Sequence, residues 1–367
     1  MKNRLAILLL AALAPVAIFA QDATIGPPDF AQLASFVQAR AATDSFSGVV
    51  LITRGDSTIW SRAVGYANVA RRLPNTLDTR FDIASVGKMF TGVAIMQLLQ
   101  TGRVRLDVPV GTYLPDFPNA SVRDSVTIAQ LLTHTSGLGS YFSPDYFQRH
   151  DQLRRLSDFV PLFASRPLQF PIGTRFLYSN AGYIVLGLIV ERVTGEPFSR
   201  YVGEHILAPA GMRATGFCRD EPSSAPLATG YTTQTPTGPV TARQPNDPAI
   251  AACGGSAGGG YSTATDLARF AAALMASRLI DAAHTELATT GKVDMPTPGL
   301  RYGYGFGIQG AGRDRSVGHN GGFIGANAEI RTFPELGYTV VVLSNYDPPS
   351  AEAIAERATQ LIRAVTE

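Results

Sequence analysis

Strand-like runs at both ends of the chain, with helical patterns between them, constrain the fold more than any other feature of this sequence. Near the start, "SGVVLIT" and "STIWSRAVGYAN" are rich in β-branched and aromatic residues and are separated only by Arg54 to Ser57. Such a pair predicts a hairpin. Its turn spells RGDS, which reads as a Gly-Asp turn and not as an adhesion signal. The last third supplies "RYGYGFGIQ", "RSVGHNG", "GANAEIRTF" and "GYTVVVLSN" as further strands. Helices flank both sets: Phe30, Leu33, Ala34, Val37 and Ala41 outline the first, and Ile354, Ala358, Leu361, Ile362 and Val365 outline the last. One sheet closed by the two termini follows. The expected class is α+β: a mainly antiparallel sheet formed by N- and C-terminal segments, flanked by helices, with an inserted mostly helical region.

The inserted part is expected over about residues 91–262, between an α/β part at about 21–90 and 263–367. From Ser85 to about residue 213 the pattern is mostly helical, most clearly in "AGYIVLGLIVERVTG". Residues 214–262 are rich in Pro, Gly, Thr and Ser and weakly periodic, so they are expected to border the active site or to move. "TATDLARFAAALMASRLI" then resumes a helix.

A composition of 45% hydrophobic and 16% charged residues over 367 positions bounds a globular protein of one large domain or two closely packed ones. Residues 1–20 read separately. Lys2 and Arg4 precede an apolar run from Leu5 to Phe19 that ends at Ala20, the pattern of a cleaved export signal. About fifteen apolar residues fall short of the roughly twenty a bilayer span needs. The expected product is exported, periplasmic or secreted, with no transmembrane segment after cleavage. Lys and Arg number 31 against 29 Asp and Glu, and losing Lys2 and Arg4 leaves the two signs balanced, which argues against a nucleic-acid partner. Cys218 and Cys253 could pair in an oxidising compartment, although sequence alone cannot place them. His134, His150, His205, His284 and His319 show no ligand spacing among themselves or with the cysteines, so no metal is expected.

"ASVGKMFTG", residues 84–92, opens a segment whose Val86, Met89, Phe90, Val93, Met96 and Leu99 recur at helical spacing and should bury one face. Ser85 and Lys88 stand three residues apart at its start, where a helix sets side chains next to each other. A desolvated lysine there can take the serine proton, and helix-start N–H groups can stabilise an oxyanion. Tyr178-Ser179-Asn180 adds a phenol and a carboxamide at a loop-to-helix boundary. His319-Asn320-Gly321-Gly322 lies on a strand where glycines let a substrate approach the backbone.

These elements, in this order, resemble the serine penicillin-recognising superfamily of class C β-lactamases, D-alanyl-D-alanine peptidases, and related esterases and D-amino-acid amidases. "LLTHTSGL", "YSNAGY", "GGSAGGGYSTATDLARF" and "GHNGG" look like the same group, so the likeness spans nearly all of the chain after the signal. The resemblance implies a β-lactamase/transpeptidase-like fold, a catalytic set of Ser85 as acylated nucleophile, Lys88 as its activating partner and Tyr178 as proton shuttle or deacylation base, and no cofactor. Asn180 would bind the substrate amide, and Ser85 and Gly322 N–H groups would form the oxyanion hole beside Asn320 and Gly321. His319 occupies the place where many relatives carry the lysine of Lys-Thr-Gly. A mostly neutral imidazole anchors a carboxylate-bearing substrate more weakly than lysine does. The expected function is therefore an exported serine hydrolase acting on a peptide, ester or β-lactam carbonyl. The alternative is a slow-acylating penicillin-binding or cell-wall-binding receptor.

Three further features compete for attention. Gly254-Gly255-Ser256-Ala257-Gly258 matches the G-x-S-x-G elbow of α/β-hydrolases, with Asp281 or Asp314 and then His319 downstream, but no buried strand run precedes Ser256. Gly305, Gly307 and Gly310 match a dinucleotide fingerprint without a following helix. His134 is expected to end a helix and bond local carbonyls.

Overall fold

A computed structural model describes residues 30–218, 225–235, 238–246, 251 and 253–364. The expected export signal and Val365 lie outside the described residues. In chain order the principal elements are α1 (Ala31–Ala42), β1 (Gly48–Arg54), β2 (Ser57–Val64), α2 (Lys88–Gln100), α3 (Ile128–Leu132), α4 (Pro144–Arg149), α5 (Asn180–Thr194) and α6 (Ala264–Met275). They are followed by β3 (Val293–Asp294), β4 (Leu300–Tyr302), β5 (Gly307–Gln309), β6 (Ser316–Phe323), β7 (Ala326–Phe333), β8 (Tyr338–Ser344) and α7 (Glu352–Ala364).

The eight strands form one antiparallel sheet in the order β2-β1-β8-β7-β6-β5-β4-β3. The N-terminal hairpin therefore docks on the last strand, with Gly48 opposite Ser344 and Arg54 opposite Tyr338. Both β1 and β8 are buried almost throughout because their two faces feed two cores. Val50, Ile52, Val340 and Val342 pack with Leu33 and Val37 of α1 and Ile354, Ala358 and Ile362 of α7. Alternate residues Val49, Leu51, Val341 and Leu343 face the larger core shared with α2, α5 and α6. A period of two thus divides each strand between the layers. Each of these buried Val, Leu and Ile side chains contributes roughly 1.5–3 kcal/mol.

Several expectations change in detail. The Ser85 segment begins as a 3-10 turn, Ala84–Gly87, and α2 proper starts at Lys88. Residues 88–96 are buried all round, so α2 does not bury one face only. It is a central helix, enclosed by the sheet and the helical region, and such helices lose their polar face. "RYGYGFGIQ" divides into β4 and β5 around a turn. Within the weakly periodic 214–262 stretch, Tyr231–Thr235 and Gly238–Pro245 pair as a hairpin that the pattern did not reveal. The second of these strands exposes residues on both faces and so lacks a clean alternation. Among the described residues, no helix is long and apolar enough to cross a membrane.

Candidate active site

The 3-10 turn carrying Ser85 sits where β6 meets the glycine loop 254–260, and both neighbours approach it through backbone. A Cβ on Gly321 would lie 2.3 Å from the Ile83 carbonyl oxygen and 3.1 Å from Ser85 N. At Gly258 (φ +131) a Cβ would lie 2.7 Å from the Ala84 carbonyl oxygen. Only glycine allows either contact. Ser85 is thereby fixed from two sides.

Lys88 follows one turn later, fully buried. Its Nζ lies 3.2 Å from Ser85 Oγ and 2.7 Å from Asn180 Oδ1, and it also donates to the Ala257 carbonyl. Complete burial, with no carboxylate beside it to offset the cost, holds its pKa well below the usual lysine value. A neutral amine has two protons and one lone pair. Asn180 Oδ1 and the Ala257 carbonyl use the two protons, which leaves the lone pair for the Ser85 hydroxyl.

Tyr178 closes the triangle. Lys88 Nζ lies 4.7 Å from its ring centre. Its hydroxyl is near enough to Ser85 to be influenced by it yet makes no direct hydrogen bond. Burial raises the phenol above its ordinary pKa, so the resting side chain is neutral. Asn180 opens α5, capped by Ser179, whose Oγ accepts from Gly182 N–H and donates to the Gly139 carbonyl at 2.8 Å.

His319 does not reach toward Ser85 as a cation. Its Nδ1 donates to the Asn320 carbonyl at 2.5 Å, and its Nε2 accepts from the Tyr302 hydroxyl at 2.8 Å, a tautomer assigned from these partners. Burial, with Lys88 nearby, lowers its pKa to about 3. It can supply Tyr178 with no charge at neutral pH. Tyr302 was not singled out in the sequence. It stands across from Gly307 on β5, which stands across from Gly318, the residue before His319 on β6.

His134 also differs from expectation. It follows the end of α3 with φ +59, but its ring does not bond local carbonyls. Nδ1 accepts the Ser179 N–H at 3.0 Å, and its carbonyl accepts the Leu177 N–H at 2.9 Å. One residue therefore holds the backbone on both sides of Tyr178, and its ring packs 4.4 Å from the Tyr178 ring. Burial, chiefly, holds this histidine well below its ordinary pKa as well.

Ser256 is fully buried, with its hydroxyl against Gly187 and without a hydrogen-bond partner, so the loop does not present it as an elbow nucleophile. Its neighbour contributes instead, through the Ala257 carbonyl. Cys218 and Cys253 are joined by a disulfide, which fastens the start of this loop to the Phe217 segment. Gly305, Gly307 and Gly310 lie in the β4–β5 region of the sheet and open no α-helix, only a 3-10 turn at Gly312–Asp314. Among the described residues, Glu196, Glu204 and His205 are close enough to share an ion, but Glu204 already pairs with Arg200 and none of the three lines the Ser85 clefts.

Two clefts meet at Ser85, Tyr178 and Gly322. One of about 160 Å³ runs past Asn180 between Tyr141, Phe142, Tyr146, Phe159 and Phe323. The other, about 670 Å³, runs past His319, Asn320 and Tyr302. The Beta-lactamase family model matches residues 33–364. A penicillin-binding protein structure from Bacillus halodurans superposes with a TM-score of 0.78 at 34% identity, covering 88% of this chain and 99% of that one. Penicillin-binding protein 4* of Bacillus subtilis is 28% identical over 86% of this chain and 72% of its own length. Esterase EstB of Burkholderia gladioli is 36% identical over 55% of this chain and 56% of its own.

Proposed function

Because the chain belongs to the Beta-lactamase family of serine hydrolases, we propose that it is an exported acyl-transfer hydrolase in which Ser85 attacks an ester or amide carbonyl. The observation that carries this reading is the buried Lys88, with two acceptors for its protons and Ser85 Oγ at 3.2 Å. Ser85 Oγ bonds to the carbonyl carbon as its proton passes to Lys88 Nζ. The N–H groups of Ser85 and Gly322 receive the oxyanion. Lys88 returns the proton through Tyr178 Oη, which gives its own proton to the departing alcohol or amine. Water then attacks the acyl-enzyme carbonyl, and the same relay returns a proton to Ser85 Oγ as the acid leaves.

The neutral His319 and the absence of Lys or Arg among the described residues lining either cleft beside Ser85, apart from Arg331, which pairs with Glu329 and Glu356, favour esters and amides over carboxylate-bearing β-lactams or peptides. Export is supported by the Lys2-to-Ala20 pattern and by the disulfide, which suits an oxidising compartment. Hydrolysis of a chromogenic short-chain ester tests the reading. Activity lost in Ser85→Ala but kept in Ser256→Ala supports it, whereas the reverse pattern overturns it.

A further inference from the structure

We propose that the smaller cleft is an acyl pocket for a single aromatic ring and rejects acyl groups that carry a carboxylate. The inference rests on Ser85 being the nucleophile and concerns what it acylates. Tyr141, Phe142 and Tyr146 form a continuous wall, with ring centres 4.8 Å apart for Tyr141–Phe142 and for Phe142–Tyr146. Phe142 also stacks on Phe323, at 5.2 Å and 23°, so the wall joins the end of β6 just beyond Gly322. The ring of Phe159, which also lines the pocket, lies 5.0 Å from that of Tyr141. The volume of about 160 Å³ matches the roughly 150 Å³ of apolar space that takes up one benzene. A bicyclic or branched peptide acyl group needs more.

Charge sharpens the choice. Asp82 is the one formally charged side chain among the described residues lining this pocket, and it lies close enough to Tyr141 and Tyr146 to raise both phenols further. A carboxylate entering here finds no cation among the described lining residues and one formal negative charge, Asp82, whose Oδ1 accepts the Ala84 N–H. Asn180, whose Oδ1 is held by Lys88, lines the same pocket and leaves its amide N–H₂ for the acyl portion of the substrate. The wider cleft past His319 then receives the leaving group and releases it to solvent.

Two isomeric esters separate the clefts, because ethyl phenylacetate carries its ring on the acyl side and 2-phenylethyl acetate carries it on the alcohol side. Followed by pH-stat, kcat/KM for ethyl phenylacetate is expected to exceed that for 2-phenylethyl acetate by at least about tenfold, the discrimination a filled apolar pocket supplies. Ethyl butyrate is expected to exceed monoethyl succinate by a similar factor. Phe142→Ala should cut the first ratio to about threefold or less while the butyrate-to-succinate ratio persists, since Asp82 remains. Equal rates for the two isomers, or faster turnover of monoethyl succinate, overturn the pocket assignment even if Ser85 is essential. Ester hydrolysis that survives Ser85→Ala instead overturns the underlying reading, so the two failures are distinct.

Discussion

On one side of the sheet, Val50, Ile52, Val340 and Val342 meet α1 and α7 in an apolar cluster. On the other, the larger core also encloses Lys88, His134 and His319, with Tyr178 half-buried at its edge. The same strands feed both layers, yet the second accepts the cost of burying titratable groups, and burial shifts the pKa of each toward its neutral form. The outer layer holds the sheet together, and the inner layer spends part of its stability on a nucleophile whose base is pushed by burial toward its neutral form. Regions built in this way should respond to substitution through different observables.

The largest separation is expected from Lys88→Met, which keeps the volume but removes the lone pair. It should lower kcat/KM for an ester by about 10²–10⁴-fold, while the melting transition remains cooperative in circular dichroism. Ile354→Ala in the outer layer should do the opposite, costing about 2–5 kcal/mol in denaturant unfolding with kcat/KM unchanged below the transition. If Ile354→Ala loses activity while still folded, the two layers are not functionally separate.

A narrower test concerns His134. Its Nδ1 and carbonyl fix residues 179 and 177, so His134→Ala should lower kcat by up to about 100-fold through misplacement of Tyr178 and change KM little. Asn in its place can keep both the positive φ and an acceptor near the Nδ1 position. Recovery of part of kcat in His134→Asn supports positioning, and equal loss in both variants refutes it.

How far each region could be read in sequence follows the same division. Ser85 and Lys88 are local, three residues apart, and the strand pattern of residues 338–344 needs no partner to be recognised. Tyr302 and His319 meet only through the register of three strands, and His134 reaches Ser179 across 45 residues. The cysteine pair was open for the same reason, because a disulfide depends on a Cα separation that sequence does not contain. Long-range polar contacts in the inner core were therefore the hidden part, while the apolar outer layer was legible from periodicity.

The smallest expected effect lies at the margin of the two regions. Glu329 on β7 is buried and its pKa is raised to about 7, chiefly by desolvation and against the pull of Arg331. The folded state thus prefers it protonated, so its stabilising share is present below about pH 4.3 and is lost as pH rises through 7. Glu329→Gln should leave stability at pH 4 nearly unchanged and raise it at pH 8 by about 1 kcal/mol, after loss of the Arg331 ion pair is counted. A lower melting temperature at pH 8 contradicts this.

The central claim is that the inner core exists to make Ser85 acylable, and covalent trapping tests it most directly. After incubation with an activated phosphonate ester, intact mass and peptide mapping should show one phosphonyl group on the peptide containing Ser85, and none in Ser85→Ala. Modification at Ser256, or no adduct on a folded wild-type protein, would contradict it.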